Sequence, residues 1–242
     1  MTNYNQKFYQ RLSEQATKSS DALVPIIYEK LRPGSILDVG CGHGTWLKKW
    51  SSYVPDIFGV DGKWVEEKNL EIPSENFMKI DLEKSFDLKK KFDLVTCLEV
   101  AEHVTVDSKD LFINSLVTHS DIILFSAAIP EQGGDNHYNE QWPSYWVEEF
   151  KKRDYVYLDP FRHLIWKNEN IRYYYRQNII LFAHKNTVKT NVFLQQEEKI
   201  ADRSLIDVIH PYSIDENIRS LKKIFPIFRK TFIKALKNRI SF

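Results

Sequence analysis

The sequence lacks the features that mark secreted, membrane-spanning and nucleic-acid-binding proteins. Its two cysteines, Cys41 and Cys97, are too few for a disulfide framework, so we expect a reduced, cytoplasmic protein. The amino terminus has no signal-peptide pattern, and the longest apolar run, at 122–129, is far shorter than the roughly 20 residues of a membrane span. The 34 basic residues nearly balance the 33 acidic ones. This balance gives no global attraction to nucleic acid, and none is expected as a partner.

Glycine is scarce, and the eight glycines are confined to two places. Six of them lie between residues 34 and 62, the other two are adjacent at residues 133 and 134, and none follows. Glycine tolerates sharp turns and a close approach of the backbone to a ligand, so this clustering predicts two specialised loops. With 43% hydrophobic and 28% charged residues, the chain is expected to be ordered around a substantial core.

Short apolar runs alternate with helical patterns along the chain. Their near-continuous apolarity is typical of strands that are buried on both faces. The runs are SILDVG (35–40), DIFGVD (56–61), NFMKID (76–81), FDLVTCL (92–98), DIILFSAAI (121–129), DYVYLDP (154–160) and NIILFAH (178–184). Helices are predicted at 45–53, at 108–119 and after Pro143. The pattern predicts an α/β protein with a seven-stranded, mostly parallel sheet and helices on both faces.

The composition changes at residue 185, where the sequence becomes polar and charged. We therefore predict one domain at residues 1–184 and a helical, basic C-terminal extension at 185–242. Apolar residues recur every three or four positions from Leu221 to Ile240, among basic residues and no acidic one, which predicts an amphipathic helix. Such a helix can contact an anionic membrane surface, or it can pack on the domain or on a second copy in a homodimer.

The first glycine cluster joins a predicted strand to a predicted helix through DVGCGHG (38–44). Glycines at alternate positions let the backbone approach a ligand, and the following helix presents free N–H groups to it. A dinucleotide-binding loop reads G-x-G-x-x-G, but here the third glycine, Gly44, comes one residue early, which argues against NAD. The sequence has no G-x-x-x-x-G-K-[ST] loop, so binding of ATP or GTP is unsupported.

This loop and three later motifs make the sequence resemble the class I S-adenosylmethionine-dependent methyltransferases. The loop has the family's form (D/E)-x-G-x-G-x-G, and the run FDLVTCLEVAEHV (92–104) matches its fourth-strand motif. Between them, Asp61 stands where the family binds the ribose hydroxyls, and Asp81 stands where it binds the adenine amine. The resemblance implies a Rossmann-like fold and S-adenosylmethionine as the cofactor. It assigns donor binding to Asp38, Gly40, Gly42, Gly44, Asp61, Asp81, Leu82 and Glu99. The three aspartates can also be ordinary caps of turns.

The second glycine pair lies in a polar and aromatic segment, residues 126–146, that follows the predicted fifth strand. Open α/β sheets bind ligands at this end of their strands, so we expect the methyl acceptor there. The pattern GGDNHYNEQWPSYW (133–146), the run RQNIILFA (176–183) and the stretch 13–25 resemble a methyltransferase subgroup associated with bacterial surface polysaccharides, such as capsule and lipopolysaccharide. This resemblance adds Ser19, expected just before the first helix, to the donor site.

Methyl transfer from a sulfonium is an in-line displacement with an activated donor, so the protein chiefly aligns the nucleophile. A hydroxyl nucleophile gains from a general base, and histidine is suited to that role. We predict His137 as this base and His103 as the alternative, although His137 can also simply hold its loop together. The predicted acceptor contacts are Glu140, Gln141, Trp142, Tyr174 and Arg176. No Cys/His cluster has metal-ligand spacing, so no metal is predicted, although Asp135, His137 and Glu140 carry suitable donor atoms.

Together these features predict a methyltransferase with a small polar acceptor, chiefly a sugar or nucleotide-sugar hydroxyl in surface-glycan biosynthesis. An N-methyltransferase of an amino-alcohol phosphate, such as ethanolamine phosphate, is the alternative. It would bind phosphate with basic side chains and the ammonium with tyrosines, and the basic candidates are Arg162, His163, Arg172 and Arg176. From another class, the chain can be a non-catalytic nucleoside-binding or membrane-docking module.

Overall fold

The computed structural model of the protein describes residues 6–213, and it describes side chains from residue 14 onward. The chain divides into two compact units, residues 1–208 and 209–242. The amphipathic helix expected at 221–240 lies outside the described residues. The membrane contact and the homodimer that depend on it stay predictions. No helix in the described part of the chain is both long and apolar enough to cross a bilayer.

The described residues form helices and strands that alternate through most of the first unit. The helices are α1 (Gln6–Leu31), α2 (Thr45–Trp50), α3 (Lys109–His119), α4 (Pro143–Lys151), α5 (Arg162–Ile165), α6 (Tyr173–Asn178), α7 (Lys185–Thr190) and α8 (Val192–Ile200). The strands are β1 (Ser35–Val39), β2 (Asp56–Asp61), β3 (Phe77–Lys79), β4 (Leu94–Leu98), β5 (Ile122–Ser126), β6 (Tyr155–Leu158) and β7 (Ile180–His184).

In residues 6–213 the seven strands form one sheet in the order β3-β2-β1-β4-β5-β7-β6. β7 runs antiparallel to β5 and β6, and the other neighbouring strands are parallel. The carboxyl ends of β1, β2, β4 and β5 therefore meet at one edge of the sheet, where the loops that follow them lie together. The predicted α/β fold with a seven-stranded, mostly parallel, Rossmann-like sheet is confirmed.

The sheet is covered on both faces. Successive strand residues point to opposite sides, so Ile36 belongs to one hydrophobic cluster and Leu37 to the other. The first cluster includes buried side chains of α1 and α2, and the second includes those of α3 and α4. In the second cluster the Phe150 ring stacks on Phe182 of β7 with centroids 3.9 Å apart. These two layers make the sheet a rigid platform for the loops at its carboxyl edge.

Several predicted boundaries shift by a few residues, and one helix is longer than expected. α1 continues through Pro25, because Leu23, Val24 and Ile27 are fully buried against the sheet and hold the helix together around the missing N–H. β3 is shorter than its apolar run predicted, ending at Lys79. The compact unit extends to residue 208, beyond the expected boundary at 184, and the division into domains stays a prediction.

Candidate active site

The glycine loop links β1 to α2 in a backbone conformation that requires glycine. Gly40, Gly42 and Gly44 all have positive φ, a region that residues with a Cβ rarely adopt. At Gly40 a Cβ would also overlap the side chain of Val100, in the loop after β4. Gly40 is therefore required both for the turn and for the close contact between two loops.

Asp61 ends β2 and binds the glycine loop through its carboxylate. Its Oδ2 accepts a hydrogen bond from the N–H of Gly42 at 2.7 Å, and its Oδ1 accepts one from the N–H of Gly62 at 2.6 Å. Burial raises the pKa of this carboxyl group, and the two backbone hydrogen bonds oppose the rise. Asp61 thus fixes the backbone at Gly42 and at Gly62, at the carboxyl edge of the sheet.

Asp38 lies beneath the same loop, one residue before the end of β1. Its Oδ1 accepts a hydrogen bond from Oγ1 of Thr96 on β4 at 2.6 Å. Burial raises the pKa of the Asp38 carboxyl group to about 7, with a smaller contribution from the nearby Asp61 and an opposing one from the Thr96 hydrogen bond. Asp38 does not border the cavity described next. Its hydrogen bond to Thr96 joins β1 to β4 just before the glycine loop.

A cavity of about 780 Å³ opens at the carboxyl edge of the sheet. Six residues predicted from the sequence border it, namely Gly40, Asp61, Asp81, Leu82, Glu99 and His103. The polar segment after β5 contributes Asp135, Asn136 and Tyr138 to the same cavity. Sequence reasoning assigned no role to the remaining lining residues, which are Trp64, Glu83, Val100, Val104 and Thr105. Val100 and Val104 lie within the fourth-strand motif at 92–104, and the other three residues follow a predicted site residue or motif within a few positions. Position in or next to the motifs is therefore the signal that could have found them.

Asp81 and Leu82 occupy the turn after β3. Asp81 lies two residues beyond the strand, and not at its end as expected, because β3 is a short edge strand. Its Oδ2 forms an ion pair with Nζ of Lys84 at 3.0 Å, which lowers the pKa of the carboxyl group, and just over half of its side chain is exposed. Leu82 is buried and supplies an apolar wall of the cavity.

Glu99 is held by a buried amide network. Its Oε2 accepts a hydrogen bond from Nε2 of Gln132 at 2.8 Å, and its Oε1 accepts one from Nδ2 of Asn178 at 3.1 Å. Glu99 also has a positive φ of 58°, which is a strained backbone conformation for a side chain with a Cβ. Burial raises the pKa of its carboxyl group, and these amide hydrogen bonds oppose the rise. Gln132 and Asn178 lie in segments that the sequence singled out, but neither residue was assigned a role, and only the fold brings them to Glu99.

The two predicted histidines lie side by side. The rings of His103 and His137 meet edge to face with centroids 4.8 Å apart. His103 borders the cavity, and its Nδ1 donates a hydrogen bond to the carbonyl of Asn136 at 3.1 Å. Burial lowers the pKa of the His103 imidazole. His137 does not border the cavity, because its ring packs onto Gly134, where a Cβ would overlap it.

Glu140 links the two ends of residues 131–140, the segment that contains His137, through its carboxylate. Its Oε1 lies 2.8 Å from Nδ1 of His137 and accepts the N–H of Gly133 at 3.0 Å, while its Oε2 accepts the N–H of Glu131 at 2.9 Å. We call residues 131–140 the acceptor loop. Its far end is joined to the loop after β4, because the carbonyl of Glu102 accepts the N–H groups of Tyr138 and Asn139.

The other predicted acceptor contacts do not border this cavity. Gln141 donates to Oδ1 of Asn139 at 3.1 Å, and Trp142 immediately precedes α4. On α6, Arg176 is buried and donates to the carbonyl of Trp166 at 3.1 Å, and Tyr174 packs against Tyr175 with ring centroids 4.6 Å apart. Glu140 is likewise used by the acceptor loop. We expected Tyr174 and Arg176 to wall the acceptor pocket and the other three residues to position the acceptor, but none of the five borders this cavity.

Ser19 also lies away from the cavity. It sits inside α1, not before it, and it is fully buried. Its hydroxyl donates to the carbonyl of Gln15 at 2.8 Å and accepts the N–H of Arg172 at 3.1 Å. Ser19 therefore ties the first helix to the chain just before α6, and it does not border the cavity.

The phosphate site expected for the alternative acceptor is not assembled. Arg162 is buried, and its guanidinium binds Asp159, the hydroxyl of Tyr157 and the carbonyls of Leu205 and Ile206. Arg172 lies over the ring of Tyr174 at 5.3 Å, and His163 is exposed. These side chains and Arg176 do not converge on the cavity.

Comparisons with known proteins agree with this geometry. Residues 3–168 match the family model described as "Methyltransferase domain". No curated protein matches the sequence. The magnesium protoporphyrin IX methyltransferase of Synechocystis PCC 6803, solved with bound SAH, is 18% identical with a TM-score of 0.53, over 76% of this chain and 90% of that one.

Two further solved structures show the range of similarity. CalS10 of Micromonospora echinaspora, an amino pentose methyltransferase solved with SAM, is 13% identical with a TM-score of 0.53, over 76% of this chain and 99% of its own. DesVI of Streptomyces venezuelae is 20% identical with a TM-score of 0.42, and the chain spans 58% of that protein.

The family model covers well over half of the chain. The sheet carries a glycine loop, an acidic residue at the end of β2 and a cavity at its carboxyl edge, where open α/β sheets bind ligands. The chain therefore belongs to the methyltransferase domain family.

Proposed function

We propose that the protein transfers the methyl group of S-adenosylmethionine to a hydroxyl of a sugar or nucleotide-linked sugar. The observation that carries this proposal is the sharing of one cavity by the two glycine-marked loops. Gly40 and Asp61 border it on one side, and Asp135, Asn136 and Tyr138 of the acceptor loop border it on the other. A donor on the first side and a polyol on the second would meet at short range, which is the chief requirement of this reaction.

On the donor side, Asp61 is the proposed acceptor for the ribose hydroxyls. Each of its oxygens already accepts one backbone N–H, and the side chain of Trp64 hydrogen-bonds to the same carboxylate. A carboxylate has about four acceptor positions, so it retains capacity for a hydroxyl. Asp81 and Leu82 are proposed to meet the adenine, through a carboxylate and an apolar surface. Glu99 is proposed to face the amino acid part of the donor. Asp38, Gly42 and Gly44 support the loop from positions that do not border the cavity.

On the acceptor side, His103 is the proposed general base. Its Nδ1 is engaged by the carbonyl of Asn136, so its Nε2 is the nitrogen that can accept a proton. His137 supports this arrangement by packing against the His103 ring, and it is the alternative base. In the reaction the acceptor oxygen attacks the methyl carbon, the sulfur–carbon bond breaks, and the hydroxyl proton passes to the histidine.

The charge of the cavity bears on the class of acceptor. Five carboxylates border it, and no lysine or arginine does so in the described part of the chain; the five are Asp61, Asp81, Glu83, Glu99 and Asp135. An acidic lining disfavours a phosphate in the cavity and suits a neutral polyol, so the phosphates of a nucleotide-linked sugar would have to lie outside the cavity. It also suits a cationic amine, so a sugar amine is a second candidate. CalS10, which shares the fold, is an amino pentose methyltransferase.

The place of the reaction in surface-glycan biosynthesis, including capsule, is part of the proposal. Its support is the resemblance of the segment 133–146 to methyltransferases associated with bacterial surface polysaccharides. A cytoplasmic location is also proposed, because Cys41 and Cys97 are both free, as expected in a reducing compartment.

The test is a panel of acceptors incubated with the purified protein and S-adenosylmethionine, with release of the demethylated donor as the readout. Nucleotide sugars, free sugars and amino sugars are expected to give turnover, and ethanolamine phosphate is not. Turnover with ethanolamine phosphate alone would overturn the sugar assignment. Calorimetry should show donor binding that NAD does not compete with, and a protein without donor binding would refute the enzyme assignment itself.

The variant His103→Ala isolates the proposed base. Its turnover is expected to fall by about 10²-fold or more while its affinity for S-adenosylmethionine is unchanged. His163→Ala is the matched control, because that histidine is exposed on α5 and away from the cavity. Equal turnover in the wild type and in His103→Ala would remove this residue as the base.

A further inference from the structure

A cluster with metal-binding chemistry lies beside the cavity. Glu102 and His103 belong to the short 3-10 helix Ala101–His103 after β4, and His137 belongs to the acceptor loop. One ligand atom from each of these three residues lies within 4.8 Å of the other two. The sequence had suggested a different set of donor atoms, on Asp135, His137 and Glu140. In the structure, Glu140 instead accepts backbone N–H groups of the acceptor loop, and Glu102 and His103 lie near His137.

Glu102 supplies a second, independent observation. Its side chain is 1% exposed, and its Oε2 has no hydrogen-bond partner among the described residues. A buried carboxylate oxygen without a partner is costly, by about 1–3 kcal/mol or more for a charged group. Such atoms are rare in folded proteins and call for a ligand or an ion. A carboxylate oxygen of the same residue lies within 4.8 Å of a ring nitrogen of each histidine, so a cation bound among the three residues would compensate the buried carboxylate.

The two imidazoles are already oriented as metal ligands usually are. Nδ1 of His103 donates to the carbonyl of Asn136, and Nδ1 of His137 lies 2.8 Å from the carboxylate of Glu140. Metal-bound histidines characteristically donate their other ring N–H to a carbonyl or a carboxylate. In both rings this leaves Nε2 as the remaining nitrogen; Nε2 of His137 lies beside Gly134, where the absence of a Cβ leaves space for a ligand. The two rings come from different loops and meet nearly at right angles.

We propose that Glu102, His103 and His137 bind one divalent first-row transition-metal ion, such as Mn²⁺, Fe²⁺ or Zn²⁺. Two imidazole nitrogens with one carboxylate suit these ions, whereas Mg²⁺ and Ca²⁺ prefer ligand sets made of oxygen. Three protein ligands leave coordination positions open. Because His103 borders the cavity, an open position would face the space where the acceptor binds.

The role of the ion rests on the proposed function, although the site itself does not. A hydroxyl oxygen of the acceptor would bind the ion, which acidifies it as a Lewis acid, and would lose its proton to solvent. The oxygen–methyl bond then forms as the sulfur–methyl bond breaks, leaving the demethylated donor. With the ion bound, Nε2 of His103 is a ligand, and the ion takes over the activation that was assigned to this histidine.

The test of the site is a titration of the purified full-length protein, stripped with a chelator, with Mn²⁺ alone. Free Mn²⁺ gives a six-line paramagnetic resonance signal that is lost on binding, so the readout does not depend on activity. We expect one ion per chain, displaced by Zn²⁺. Glu102→Gln and His137→Gln are expected to weaken binding by more than about tenfold. His163→Gln, at an exposed histidine, is expected to bind as the wild type does.

Two controls separate the outcomes. Calorimetry with S-adenosylmethionine shows whether each variant is folded, and if Glu102→Gln fails to fold, His137→Gln in the acceptor loop carries the test. Absence of Mn²⁺ and Zn²⁺ binding in the wild type, or equal binding in the wild type and in the folded variants, would overturn the site. Methyl transfer that persists in chelator would remove the ion from catalysis and leave the proposed function standing.

Discussion

Asp61 accepts the backbone N–H of Gly42 at 2.7 Å, so the end of β2 fixes the conformation of the loop that follows β1. The carboxyl ends of the neighbouring parallel strands β1 and β2 are thereby joined by a hydrogen bond. Asp61, which the family resemblance assigns to ribose binding, therefore also shapes the glycine loop.

Replacing Asp61 with Asn tests this coupling. The amide presents one accepting oxygen where the carboxylate presents two, so one of the N–H groups of Gly42 and Gly62 loses its partner. We expect a loss of about 1–3 kcal/mol in the free energy of unfolding, measured by urea denaturation, and at least about tenfold weaker donor binding. Asp87→Asn is the control, because Asp87 is exposed and pairs only with Lys89. Unchanged stability and affinity in Asp61→Asn would contradict the coupling.

Gly40→Ala tests the close contact with Val100. The new Cβ would have to displace this side chain and adopt a positive φ, and each effect costs about 1–3 kcal/mol. The matched control is Gly133→Ala, at a glycine that also has positive φ but has open space around its Cβ position. Thermal or urea denaturation should show the larger loss for Gly40→Ala. Equal losses would mean that the contact with Val100 adds nothing to the backbone effect.

Asp38 makes stability depend on pH. Burial raises the pKa of its carboxyl group to about 7 in the folded protein, above the ordinary value near 3.8. The folded state therefore binds more protons than the unfolded state between these values, so the contribution of Asp38 to stability is present at low pH and is lost as pH rises toward 7. The variant Asp38→Asn lacks this titration.

The measurement is urea denaturation of the wild type and of Asp38→Asn between pH 4 and pH 8. As pH rises, the difference in free energy of unfolding is expected to move in favour of the variant, by up to about 4 kcal/mol. A difference that stays constant across this range would show that Asp38 does not titrate there.

Glu140→Ala should loosen the acceptor loop without unfolding the sheet. The carboxylate accepts the N–H groups of Glu131 and Gly133 directly, so these two amides are expected to exchange their hydrogens about tenfold faster or more in the variant. Amides of β4 and β5 should keep their protection. Glu148→Ala is the control, since Glu148 is exposed on α4 and pairs with Lys151. If the amide hydrogens of residues 131 and 133 exchanged at the same rate in both variants, the Glu140 carboxylate would not be what holds the acceptor loop together.

The glycine loop and β2 could be predicted from the sequence because their determinants are local. β2 matches its apolar run at both ends, and the glycine loop is recognisable because Gly40 needs a conformation that almost only glycine adopts. Ser19 was placed wrongly, since sequence signals did not reveal that α1 runs through Pro25. That helix is maintained by burial against the sheet, which is a tertiary effect.

What only the tertiary structure decided is how the two histidines are used. The sequence indicated an acidic, glycine-marked donor site and a polar acceptor loop with a histidine in it. It gave no means to see that the carbonyl of Glu102 accepts the N–H groups of Tyr138 and Asn139. Those hydrogen bonds join backbone atoms, and every residue but proline has such atoms, so they leave no mark in the residue pattern. They bring His137 beside His103, and they leave His103 on the cavity.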